Sequence, residues 1–153
     1  MNALPRGRRL GVDVGKVRVG VAISDPDGIL ATPLVTVFRD QGAAVDSVPA
    51  DIAEIVRLVG QHEAVQIVVG LPVRLDGSEG SAAIDIRAYA ERLARAAGQV
   101  PVVLADERMS TVVATRRLAE RGVRGKRQRA VVDQAAAVEI LQSWLDAQRR
   151  QTR

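Results

Sequence analysis

Four acidic residues stand where an apolar core would be expected. Asp13 interrupts the run Leu10-Gly11-Val12-Asp13-Val14, and Asp106-Glu107 follow directly on Val102-Val103-Leu104-Ala105. Asp133 opens a face completed at helical spacing by Ala137, Ile140, Leu141 and Trp144. A carboxylate buried without a partner is costly, so it protonates, pairs or binds metal. Each position also has a plainer use. Asp13 fits an Asx-turn onto the amides of Gly15 and Lys16. Glu107 can pair with Arg108 in a solvated turn, and Asp133 can be an N-cap or a first-turn acid. If the acids converge, they make an all-oxygen site without His or Cys, which suits Mg²⁺ or Mn²⁺. Two such ions would clamp the attacking and leaving oxygens of a phosphodiester. Arg116, Arg117, Arg121, Arg124, Lys126, Arg127 and Arg129 precede Asp133 and would attract phosphate; a solvated helix end and loop would also explain them. No nucleophilic side chain is needed. Ser24 and Ser110 have no His near them in sequence, and the single imidazole, His62, closes a helix and reads as a surface residue.

The elements that must position these acids follow from pattern. Strands are predicted over Arg9–Val14, Val17–Ser24 and Pro33–Phe38, with Gly15-Lys16 as a hairpin turn. A helix is predicted from Val48 to Gln61, striped by Ile52, Ile55, Val56 and Val59. Ala64–Leu71 is a continuous apolar run, as in a buried parallel strand. A loop over Leu71–Gly80 leads to a helix over Ser81–Ala97 ended by Gly98, then a strand over Val100–Ala105. Ser110 or Thr111 caps a further helix that Gly122 ends, and a last helix is predicted over Val131–Gln148. The order βββ, then αβαβαα, predicts an α/β fold with a mixed five-stranded sheet and helices on both faces.

The chain has 153 residues, which fits one domain over 1–153 with loose tails at 1–8 and 149–153. It has no cysteine, which excludes disulfides and thiolate metal sites and suits a reducing cytoplasm. No run has the length of a signal-peptide core or a membrane span, so a soluble, cytoplasmic protein is expected. Lys and Arg total 22 against 18 Asp and Glu, a mild excess that favours polyanions. Only two of the basic residues are Lys, and Arg pairs bidentately with phosphate, although GC-rich codon usage produces the same skew. Aromatic residues make up 2%, so a nucleic acid would be held through phosphates and shape rather than by base stacking.

Asp13–Ala22 (DVGKVRVGVA), Val68–Pro72 with Asp76-Gly77 (VVGLP…DG), Asp106–Thr111 (DERMST) and Asp133–Val138 (DQAAAV) together resemble the YqgF family, also called RuvX. The resemblance covers nearly the whole chain, in order. It implies an RNase H-like sheet of order 3-2-1-4-5 and a metal-dependent nuclease that uses Mg²⁺ or Mn²⁺, with two ions in the presence of substrate. Its substrate would be structured RNA, in maturing the 5′ end of pre-16S rRNA, or branched DNA, in resolving Holliday junctions. Carried over by position, Asp13, Glu107 and Asp133 are the catalytic and metal-binding carboxylates. Asp106 competes with Glu107, because neighbours on a strand point to opposite sides. Arg18 and Arg108 match basic motif positions and, with Arg124, Lys126, Arg127 and Arg129, would contact nucleic acid. The Leu71–Gly80 loop would lie beside the site.

Two other classes stay open. The hairpin also resembles the phosphate-binding hairpin of sugar kinases and actin-like ATPases, but those enzymes close two lobes over ATP and this length supplies one. A non-catalytic nucleic-acid-binding assembly factor could use the same fold. A monomer and a homodimer are both compatible with the sequence; Trp144 and Leu145 would be dimer-face residues if exposed.

Overall fold

The computed structural model describes residues 4–44, 46–109 and 126–151. Alternating apolar residues build β1 (Arg9–Val14), β2 (Arg18–Ser24) and β3 (Ala31–Phe38). Then come α1 (Ala50–His62), β4 (Gln66–Leu71), α2 (Ser81–Ala97) and β5 (Val102–Asp106). A single 3₁₀ turn, Glu107–Met109, follows β5, and α3 spans Lys126–Gln151. The sheet order is β3-β2-β1-β4-β5, as the resemblance implied. β1 is antiparallel to β2 and β2 to β3, while β4 and β5 run parallel to β1 and are reached through α1 and α2.

Element ends shift for local reasons. α1 starts at Ala50 rather than Val48, because Pro49 takes the N-cap position at φ −59° and ψ 149° and disfavours helix in the residue before it. β4 and β5 start two residues later than their apolar runs. The Ala64 amide still donates to Val59 O and the Val100 amide to Ala97 O, so both residues finish the preceding helix. β3 starts before Pro33. A bulge between Val21 and Ala22 leaves Leu34 as the extra residue, and a proline on an edge strand forfeits no ladder bond. α3 begins five residues before Val131, since Lys, Arg, Gln and Ala all favour helix, and it runs past Gln148. The helix expected between Ser110 and Gly122 lies outside the described residues.

The two faces of the sheet are unlike. On one, Leu10, Val12, Val19, Val21, Ile67 and Val69 pack against Ile52 and Ile55 of α1 and Ile86 and Leu93 of α2. On the other, Ala22, Val68 and Ala105 meet Ala137, Ile140, Leu141 and Leu145 of α3. Small residues let α3 lie close. A Cβ on Gly11 would stand 2.6 Å from Leu141 Cβ and 2.9 Å from Ala137 O. Leu145 is fully buried there and so is not exposed for a dimer face, while Trp144 is half-buried and carries the Arg9 guanidinium 5.9 Å over its ring. Some described residues within 1–8 and 149–153 make contacts. Leu4 packs on the α3 side, Pro5 and Gly7 carbonyls accept from Arg9, and Arg149 donates to Gly28 O.

Candidate active site: carboxylates around two glycines

Strand alternation decides which acids meet. Leu10, Val12 and Val14 point to the α1–α2 side, so Gly11 and Asp13 point to α3. Asp13 is 3% exposed. Its partner across the hairpin is Gly20, and a Cβ there would stand 2.2 Å from Asp133 O and 3.1 Å from Asp133 Cβ. Only glycine lets the first described polar turn of α3 reach β1. On the other flank, the register Val12↔Val69 puts Gly70 beside Asp13. A Cβ on Gly70 would stand 2.9 Å from Glu107 Oε1 and 2.5 Å from Ile140 Cδ1. Two glycines therefore flank Asp13, and a second carboxyl-bearing residue lies against each.

Glu107 and Asp106 are sorted by the same parity. Val103 and Ala105 pack on the α3 side and Glu107 continues that side, 8% exposed. Asp106 turns away and is held by Arg108, which donates from Nη2 at 2.6 Å, Nε at 3.0 Å and its amide at 2.9 Å. The side-chain hydrogen bond from Arg108 holds Asp106 below the usual carboxylate range, against an opposing effect of burial. Arg108 Nη1 also donates to Arg74 O at 3.4 Å, which joins the end of β5 to the loop before α2. Arg18 donates from Nε to Asp133 Oδ2 at 2.9 Å, with both side chains largely buried. Arg124 lies outside the described residues, as do the side chains of Lys126, Arg127 and Arg129, whose backbone forms the start of α3.

The donor set fits hard cations. Cross-strand β-carbons lie about 5 Å apart and neighbouring strands about 4.8 Å apart. With the glycine contacts above, Asp133 Cβ and the Glu107 carboxylate each fall within about 8 Å of Asp13 Cβ. Two cations about 4 Å apart, each bound at about 2.1 Å, span about 8 Å between outer oxygens. As the side chains stand, no three His, Cys, Asp or Glu among the described residues close on a single ion. Arg18 meanwhile engages Asp133. Sequence reasoning named the acids but missed Gly20 and Gly70. Counting outward from a two-residue Gly15-Lys16 turn pairs residue 13 with residue 18, whereas the observed register closes on Val14↔Val19 and pairs residue 13 with Gly20, so the expected turn pointed to the wrong partner.

Comparison with known proteins identifies the family. The family model described as "RuvX: Holliday junction resolvase" matches residues 7–147. A Nocardia farcinica protein named "Putative pre-16S rRNA nuclease" is 57% identical over 92% of this chain and 78% of its own. A Mycobacterium ulcerans protein of the same name is 56% identical over 94% of this chain and 81% of its own. Among solved structures, T. thermophilus RuvC in complex with Holliday junction substrate superposes with a TM-score of 0.57. It is 15% identical over 93% of this chain and 96% of that one, a likeness of fold.

Proposed function

The chain belongs to the RuvX family, and from that premise we propose that it is a divalent-metal-dependent nuclease that hydrolyses phosphodiester bonds at the 5′ end of pre-16S rRNA. The observation that carries this reading is the placing of Asp13, Glu107 and Asp133, all buried, on one face of the sheet around Gly20 and Gly70. A neutral structural role gives no reason to keep three acids in a core. Mg²⁺ or Mn²⁺, held by Asp13, Glu107 and Asp133, would supply a Lewis acid for the phosphoryl oxygens and lower the pKa of water. The chain supplies the rest. The carboxylates fix the charge at the carboxyl end of β1, and the glycines keep α3 close enough for Asp133 to take part. Arg18, paired with Asp133 in this structure, stands ready to turn to a phosphate once that carboxylate has another cation. Arg108 steadies the loop over residues 72–80 at the rim.

A four-way DNA junction is the second substrate, because the matching family model carries that description. The test is cleavage of a pre-16S 5′ fragment and of a four-way DNA junction, with Mg²⁺ or Mn²⁺ and with chelator. Chelator-sensitive cleavage of the RNA is expected. Asp13→Asn should lower its rate by about 10²–10³, the range found when one transition-state-stabilising group is removed. Mg²⁺ should raise the melting temperature of the wild type and not of Asp13→Asn, since a ligand stabilises only the state that binds it. Binding of both substrates with no cleavage at any metal concentration would leave a non-catalytic assembly factor instead. Cleavage of the junction alone would make DNA the substrate.

A further inference from the structure

The opposite face of the sheet holds a second polar feature, a cavity of about 400 Å³. That falls within the range of small-molecule sites. It opens between the β1–β2 turn, the segment after β3, the start of α1 and the middle of α2. Its chemistry is carried by Lys16, Arg39, Asp51, Asp85, Tyr89 and Arg92. Asp51 is 3% exposed. Its Oδ2 accepts from the Tyr89 hydroxyl at 2.8 Å, but its Oδ1 has no hydrogen-bond partner among the described residues. Buried polar atoms are nearly always satisfied, so this orphaned oxygen of a residue in the cavity wall, itself closed to solvent, is an acceptor that a donor reaching that wall would satisfy. Arg39 lies 5.2 Å over the Tyr89 ring and is fixed by two hydrogen bonds to Asp85, at 2.9 and 3.2 Å, and by one to Gly15 O. Its guanidinium is a pre-oriented plane, with one side on the tyrosine. Lys16 and Arg92 bring further positive charge.

We propose that this cavity takes one unpaired nucleotide of the nucleic-acid substrate. The base stacks on the Arg39 plane and donates an amine hydrogen to Asp51, and the phosphate rests on Lys16 and Arg92. Guanidinium planes and carboxylates serve splayed-out bases in this way. Acids and bases in near balance suit a ligand with donors at one end and an anion at the other, which a bare phosphate or a metal ion is not. The position fits as well. Lys16 is three residues beyond Asp13, at most about 11 Å away from Cα to Cα, so a strand crossing the hairpin tip can reach both faces. This inference deepens the nuclease reading and rests on it for the source of the nucleotide. Bases that present an amine, adenine, cytosine and guanine, should be preferred to uracil, whose single N–H is flanked by carbonyl oxygens.

The test is a titration of the full chain, in chelator, with AMP, CMP, GMP, UMP and inorganic phosphate, read through backbone amide shifts by NMR. Saturable shifts are expected at Lys16, Gln41, Ile52 and Tyr89 for the three amine-bearing nucleotides, with UMP clearly weaker. Asp51→Asn should weaken those three by about tenfold and narrow the gap to UMP. Lys16→Ala, at an exposed position that leaves the fold intact, should weaken all four alike. In the cleavage assay both variants should raise KM and leave kcat near the wild-type value. Pocket amides that do not move, or that move equally with inorganic phosphate, overturn the proposal, as does an unchanged order of preference in Asp51→Asn. Nucleotide binding without metal-dependent cleavage would keep the pocket and remove the nuclease. Cleavage indifferent to both variants would do the reverse.

Discussion

Gly20 and Gly70 sit on either side of Asp13, yet replacing them should have different consequences. A Cβ on Gly20 meets the backbone of Asp133, 2.2 Å from its carbonyl oxygen, so α3 itself must move. Gly20→Ala should destabilise the protein by about 1–3 kcal/mol or more, as overpacking does, and should lower cleavage because Asp133 leaves its place. A Cβ on Gly70 meets the ends of side chains, Ile140 Cδ1 and Glu107 Oε1, which can rotate. Gly70→Ala should cost about 1 kcal/mol or less of stability and still displace the Glu107 carboxylate. Thermal melts with parallel cleavage rates separate the two: Gly20→Ala loses both, Gly70→Ala mainly activity. Equal melting losses would mean that the two contacts are alike in stiffness. At this scale the sequence revealed the acids, because a carboxylate in an apolar run is conspicuous in one dimension. It hid the glycines, whose meaning is the atom they lack next to a residue 113 positions away, as with Gly20 and Asp133. It also hid Asp51, which reads as an ordinary first-turn helix acid until Tyr89 is seen beside it.

Elements settle the choice between neighbouring acids. β5 keeps its alternation through Ala105, so Asp106 and Glu107 leave on opposite sides, and Arg108 folds back onto Asp106. Asp106→Asn should therefore leave cleavage close to wild type, whereas Glu107→Gln should reduce it strongly. The pair also has a pH signature. Arg108 lowers the folded-state pKa of Asp106 below the ordinary value of about 3.9. The ionised form is thus favoured by folding, and its contribution to stability is full above about pH 4 and is lost as pH falls through the lowered value. The difference in melting temperature between wild type and Asp106→Asn should be constant from neutral pH to about pH 4 and should close below it. It should be small, because both side chains are about a third exposed. A difference that closes already near neutral pH would show another group at work. The fold was legible at this scale because apolar periodicity marks every described element and the hairpin forces β1 and β2 together. The ends were less legible, for they depend on hydrogen bonds such as Ala64 to Val59 that no apolar pattern encodes. The N-terminal extension of α3 was hidden because its residues are helix formers without an apolar stripe.

The whole molecule couples an acidic centre to a basic exterior. A net charge of +4 rests on 22 Lys and Arg, of which 20 are Arg, so the average field draws polyanions although the proposed reacting centre is built of carboxylates. The acids gather at the carboxyl end of β1, where Arg18 pairs with Asp133 and Arg108 with Asp106, and α3, which carries Asp133, begins with the basic run Lys126 to Arg129 in sequence. With 2% aromatic residues, most of the affinity should come from phosphates, and base identity should count only at the single nucleotide of the Asp51 cavity. Each neutralised phosphate releases counterions, so log K should fall linearly with log salt, by about 0.7 per contact on single strands and 0.9 on duplex. Replacing Lys126, Arg127 and Arg129 together by Gln removes three candidate contacts. The slope should then become shallower by about 2–3, with affinity reduced alike for unrelated sequences. Anisotropy of a labelled stem-loop RNA, in chelator so that no strand is cut, measured from about 50 to 200 mM salt, reads both quantities. Since those three residues precede the carboxylate of Asp133 on the same helix, they should anchor the strand that is cut. A slope unchanged in the triple variant would place the substrate path on another face, and the carboxylates would then lack the electrostatic guide that the rest of the charge distribution provides.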